Sequence, residues 1–136
     1  MDNLSAERRS ANMGRIRSKN TRPELMLRSL IHRLGYRFRL HRKDMPGKPD
    51  IVFPGRRKVI LAHGCFWHQH PGCREGRIPG SRLDYWEPKL KRNQIRDAKN
   101  QARLKEQGWD VLVVWECELN DLKSLTKMLR GFLGKP

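Results

Sequence analysis

The sequence predicts an α/β fold, with one mixed central sheet flanked by helices. Short apolar runs bounded by Gly/Pro turns supply the strand candidates, and segments near each end carry helical periodicity. A long charged helical segment also separates the third and fourth strand candidates, as expected of a crossover to a parallel neighbour. At 136 residues the chain has the size of one ordinary domain with one core.

The elements follow in chain order. The first twenty residues carry Arg8, Arg9, Arg15, Arg17 and Lys19 with little apolar periodicity, and read as a basic arm able to wrap a partner. In "TRPELMLRSLIHRLG" Leu27, Leu30, Ile31 and Leu34 form one helical face, with Thr21 to cap the start and Gly35 to end it. "YRFRL", "DIVF" and "KVILA", divided by the turns "MPGKP" and "PGRR", read as three strands in a meander. "EPKLKRNQIRDAKNQARLKEQG" reads as an exposed helix with Pro88 at its start and Gly108 at its C-terminal cap. "WDVLVVWEC" then reads as a buried strand that takes Trp109 and Trp115 into the core. "LNDLKSLTKMLRGFLG" closes the chain as a helix with Leu122, Leu125, Met128 and Leu129 inward.

Thirty Lys+Arg against fourteen Asp+Glu leave a net charge of +16, which favours a polyanionic partner, nucleic acid first and anionic lipid second. No apolar run approaches a membrane span and the N-terminus lacks the apolar block of a signal peptide, so a cytoplasmic protein is expected. Cys65, Cys73 and Cys117 cannot all pair within the chain, and a reducing compartment favours metal ligation over disulfides.

The stretch "AHGCFWHQHPGC", Ala62 to Cys73, concentrates that chemistry at the end of the third strand, where α/β sheets gather their sites. Structural zinc wants four N or S ligands. Cys65, Cys73 and the distant Cys117 supply three, and either His68 or His70 has feasible spacing for the fourth. Asp50 opens the second strand one hairpin away, where antiparallel pairing brings it towards Ala62 and His63. One carboxylate and a main-chain carbonyl suffice for Mg²⁺ when DNA supplies phosphate oxygens, and the adjoining histidines offer a base near neutral pH.

"PGKPD", "HGCFWHQH" and "VWEC" together resemble the very-short-patch (Vsr-type) mismatch repair endonucleases, over most of the chain from about Arg9, through Asn12 and Met13, to about Glu118. The resemblance implies a restriction-endonuclease-like fold with a structural zinc site. Residues 1–20 would be a DNA-contacting arm and 21–136 the endonuclease domain. It implies Mg²⁺-dependent nicking of double-stranded DNA beside the thymine of a T:G mismatch, by a monomer on DNA that hands over to downstream repair proteins. The location implied is the nucleoid of a bacterial cytoplasm.

Residue roles follow from the same resemblance. Asp50 would hold Mg²⁺ by its side chain and Ala62 by its main-chain carbonyl; His68 would activate water and His63 assist at the phosphate. Zinc would sit on Cys65, His70, Cys73 and Cys117. Glu24 matches a glutamate near the family's active site and is equally the last residue of a Thr21-x-x-Glu24 capping box. Phe66, Trp67 and Trp86 would enter the base stack, with Met13 wedging from the other groove. The chain departs from the family in having Ala62 where threonine is common and one more residue in the zinc loop. Like its branch, it has "AHG" where the wider fold usually carries an acid and a lysine. Two rival readings are a non-catalytic zinc-containing DNA-binding module and a nicking nuclease without mismatch preference.

Overall fold

The computed structural model describes residues 21–73 and 82–136, so the arm over 1–20, with Met13, lies outside the described residues. The elements are α1 (Arg22–Arg33), β1 (Arg39–Leu40), β2 (Ile51–Phe53), β3 (Lys58–His63), α2 (Leu83–Glu106), β4 (Asp110–Trp115) and α3 (Leu122–Leu133). They run in the expected order. The sheet has the order β1-β2-β3-β4, antiparallel through the first three strands and parallel between β3 and β4.

Alternation along the strands divides the interior into two layers. Ile51, Phe53 and Ile60 face the larger cluster, which takes Leu27 and Ile31 from α1 and Leu125, Leu129 and Leu133 from α3. Val52 and Val59 face the other side and meet Leu104 of α2, Met45 and Trp109. The sheet is therefore covered on both faces, as its nearly continuous apolar strands require. Each wholly buried Leu or Ile contributes about 1.5–3 kcal/mol relative to exposure.

Three expectations need correction. "YRFRL" forms only a two-residue strand, because Tyr36 is used to end α1: its N–H bonds the Ile31 carbonyl at 3.3 Å while Gly35, at φ +100°, turns the chain. Pro88 lies inside α2 rather than at its start. The helix begins a turn and a half earlier because the carbonyl that Pro88 leaves without a donor belongs to Asp84, which is exposed to water. Leu122 is exposed, since the first turn of α3 borders Leu25 and Met26 of α1 in a shallow surface hollow rather than facing the sheet.

At the end of the sheet away from the histidines, Arg57 ties the second layer together. Its guanidinium lies 4.3 Å from the Trp109 ring and donates to the Gln107 carbonyl at 2.6 Å. Gly108 there has φ +88° and no side chain to meet the Arg57 guanidinium, so α2 can turn directly into β4.

Candidate functional site

Parallel pairing sets His63 beside Trp115, so β3 and β4 end together and the segments that follow them are neighbours. From the first come Cys65, His70 and Cys73; from the second, a 3₁₀ helix over Glu116–Asn120, comes Cys117. One donor atom of each lies within 4.8 Å of the others. His70 Nδ1 is 3.7 Å from Cys65 Sγ and 3.4 Å from Cys117 Sγ, close to the roughly 3.5–3.8 Å between donors on a tetrahedral zinc. The Cys117 N–H points at Cys65 Sγ at 3.4 Å, a donor suited to a thiolate. Burial pushes the Cys65 thiol up to about 12 and that of Cys117 up as well, a cost that a bound cation reverses. The donor set fits zinc. His68, the other candidate by spacing, faces away to Asp97.

Asp50 stands immediately before β2, and the Ala62 N–H donates to its Oδ2 at 2.9 Å across the hairpin. On its other side is Glu24, in the first turn of α1 and 1% exposed. Thr21 caps that helix by accepting the Glu24 N–H, but the Glu24 carboxylate meets His41 Nε2 at 2.6 Å instead of turning back to Thr21. Burial first, then the charge and hydrogen bond of Glu24, push the Asp50 carboxyl up to about 7 against the opposing Ala62 N–H. Two carboxyls in contact, Glu24 buried and Asp50 half-buried, need a proton or a cation between them, and Glu24, His41 and Asp50 offer three donor atoms within 4.8 Å of one another. This donor set fits a divalent cation.

Next to the Asp50 contact, the buried His63 ring stacks on His68 with centroids 3.8 Å apart and planes 8° from parallel. Burial, then the neighbouring His68, pull the His63 imidazole down to about 4. His68 Nδ1 meets Asp97 Oδ2 at 2.6 Å, from the middle of α2. A cleft lined by Thr21, Ala62, Gly64, Trp67 and His68 opens beside these groups.

The aromatic residues form one group at the rim. Phe66 lies 5.1 Å from Trp67 and 5.2 Å from Trp86, and the two tryptophans are 5.9 Å apart, all half-buried. Asn93 of α2 holds the Trp67 carbonyl at 3.2 Å, and Arg96 in turn bonds Asn93 at 2.7 Å. Trp109 is a core residue, as expected. Trp115 is not: it stacks on His70 at 4.3 Å and meets the His63 ring edge-on at 5.2 Å, so it separates the thiol cluster from the histidine pair.

Sequence reasoning missed Asp97, His41 and Trp115. Asp97 did leave a signal, as the one acid between Lys89 and Lys105 in a strongly basic helix. His41 left none, because nothing in its spacing connects it to Glu24 or Asp50.

The chain is also similar to known proteins. The family model for DNA mismatch endonuclease Vsr matches residues 1–74. A type II nicking enzyme, V.XorIIP of Xanthomonas oryzae pv. oryzae, is 61% identical over 132 residues, covering 97% of this chain and 96% of its own. The type II nicking enzyme V.NmeAIP of Neisseria meningitidis is 42% identical over 88% of this chain and 85% of its own length. The DNA mismatch endonuclease Vsr of Escherichia coli K12 is 42% identical over 118 residues, 87% of this chain and 75% of its own.

Proposed function

The chain belongs to the Vsr family of DNA mismatch endonucleases and is a DNA nicking endonuclease, and from that premise we propose that it nicks duplex DNA beside the thymine of a T:G mismatch. The observation that carries the mechanism is the Asp50–Glu24 pair standing one residue along β3 from the stacked histidines and Asp97.

Asp50, with Glu24 beside it and the Ala62 carbonyl, would hold a divalent cation, Mg²⁺ by family. When bound, the cation neutralises charge developing on the scissile phosphate. His68 takes the proton from the attacking water on Nε2, since Nδ1 is engaged by Asp97. Asp97 fixes the ring's tautomer and offsets the imidazolium charge as it forms. His63, neutral at physiological pH, orients the phosphate by hydrogen bonding without adding charge. As the phosphorus–oxygen bond on the far side breaks, the leaving sugar oxygen takes a proton from solvent and one strand is cut.

Cys65, His70, Cys73 and Cys117 would hold zinc in a closed four-ligand site that stabilises the loop carrying His68 and the aromatics; such sites bind with about 10–16 kcal/mol. Phe66, Trp67 and Trp86 would enter the base stack, where unstacking costs least at a mismatch. Residues 1–20 with Met13 would contact the DNA, and 21–136 would be the endonuclease domain. A monomer acting in the bacterial cytoplasm, at the nucleoid and ahead of other repair proteins, suits this activity; no described helix is long and apolar enough to cross a membrane.

The test is cleavage of matched and T:G duplexes with Mg²⁺ added to zinc-loaded protein. A nick in one strand of the T:G duplex alone supports the reading. Equal cutting of both duplexes removes the mismatch preference, and tight binding without cleavage leaves a DNA-binding module.

A further inference from the structure

His41 belongs to no role assigned so far. Its ring nitrogen Nε2 lies 2.6 Å from Glu24 Oε1, and its backbone N–H donates to the Asp50 main-chain carbonyl at 3.1 Å, so one residue ties the Glu24 carboxylate to the backbone that carries Asp50. It does so in a left-handed backbone conformation, φ +49°, uncommon for any residue but glycine. Strain of this kind persists where surrounding contacts over-determine it, and it gathers at functional sites. The ring is partly exposed at its outer edge, while the carboxylate it meets is buried. Donor atoms on a six-coordinate cation with bonds near 2.1 Å stand roughly 3 Å apart when adjacent and roughly 4.2 Å when opposite. The Glu24, His41 and Asp50 donors all lie within 4.8 Å of one another, the Glu24–His41 pair at 2.6 Å, so small side-chain shifts bring them to that spacing.

We infer that His41 is a third donor at the Asp50–Glu24 site, so that this chain takes a first-row transition-metal dication that accepts nitrogen, with Mn²⁺ as its spectroscopic probe, through one imidazole and two carboxylates. The inference rests on the reading of Asp50 as a cation ligand and adds the nitrogen. Carboxylate and water donors suit Mg²⁺, whereas an imidazole shifts preference towards transition-metal cations that accept nitrogen.

The experiment titrates Mn²⁺ into the zinc-loaded full chain without DNA and reads electron paramagnetic resonance, with spin-echo modulation to detect a coordinated nitrogen. One Mn²⁺ per chain with nitrogen modulation is expected. His41→Asn keeps a residue that tolerates the left-handed backbone. It should bind Mn²⁺ at least about tenfold more weakly, with little change for Mg²⁺ and no nitrogen modulation. Asp50→Asn should lose the Mn²⁺ altogether, whereas His68→Ala should keep both the ion and the modulation. Mn²⁺ that depends on Asp50 but shows no nitrogen in the wild-type chain overturns the role of His41 and leaves the Asp50 reading standing. Mn²⁺ binding indifferent to Asp50→Asn overturns both. If His41→Asn does not fold, the wild-type spectrum decides.

Discussion

The thiol cluster and the carboxylate cluster stand at the same end of the sheet and are built in opposite ways. Three of the four soft donors, Cys65, His70 and Cys73, come from one short loop, and only Cys117 is distant. The three donors of the second cluster, two carboxylates and one imidazole, come from the first turn of α1, the residue after β1 and the residue before β2, and none is a near neighbour of another in sequence. The first cluster gathers around a loop that has little else to hold it. The second is held by an already folded core: Glu24 by α1, Asp50 by the hairpin, His41 by its backbone bond to Asp50. One cluster is therefore expected to control stability and the other chemistry, with His63 and Trp115 between them.

The sharpest way to break this division is Asp50→Ala. Nicking should fall by on the order of 10⁴ or more while DNA binding and folding survive, since the cation serves the reaction more than docking. Cleavage at a normal rate would take Asp50 out of the mechanism. His68→Ala should slow single-turnover nicking by ~10²–10⁴, the usual share of a general base, and Asp97→Asn should follow it less severely. A loss under about tenfold for His68→Ala points to another base.

Cys117→Ser tests the other side. Zinc content in the purified protein should fall together with the melting temperature, as the distant ligand is lost. Unchanged zinc stoichiometry would dissolve the four-ligand site.

Asp50→Asn in zinc-loaded protein without added Mg²⁺ or Mn²⁺ sharpens the contrast through pH. The Asp50 carboxyl titrates near 7 when folded, above its ordinary 3.8. Between those values the unfolded chain releases a proton that the folded chain keeps, so wild-type stability falls as pH rises. The variant lacks this loss. Its advantage in unfolding free energy should be absent below about pH 4, grow to pH 7 and then level off at a few kcal/mol at most. The lowered His63 acts in the opposite sense below its ordinary 6.5, but equally in both proteins, so it cancels from the difference. A difference independent of pH would mean that Asp50 is not the strained group.

The smallest effect belongs to the rim. Replacing Phe66 and Trp67 with alanine should reduce preference for the T:G duplex while matched-duplex affinity at fixed salt, which rests on phosphate contacts, changes little. Loss of melting temperature with unaltered preference in the folded fraction would return the pair to the core.

The sequence by itself determined the order of elements, the mixed sheet, the Cys/His loop and the approach of Asp50 to Ala62. These depend on periodicity, turn chemistry and hairpin pairing, all local or one connection away. Family resemblance supplied the choice of His70 over His68, which spacing left open. Tertiary structure alone decided the rest: that Asp97 reaches His68 from α2, that His41 joins Glu24 to Asp50, and that Trp115 leaves the core to separate two sites. Those contacts join residues brought together only when helices pack on both faces of the sheet. No interval along the chain encodes such a meeting, because packing, rather than spacing, sets where a helix side chain ends up relative to a distant strand.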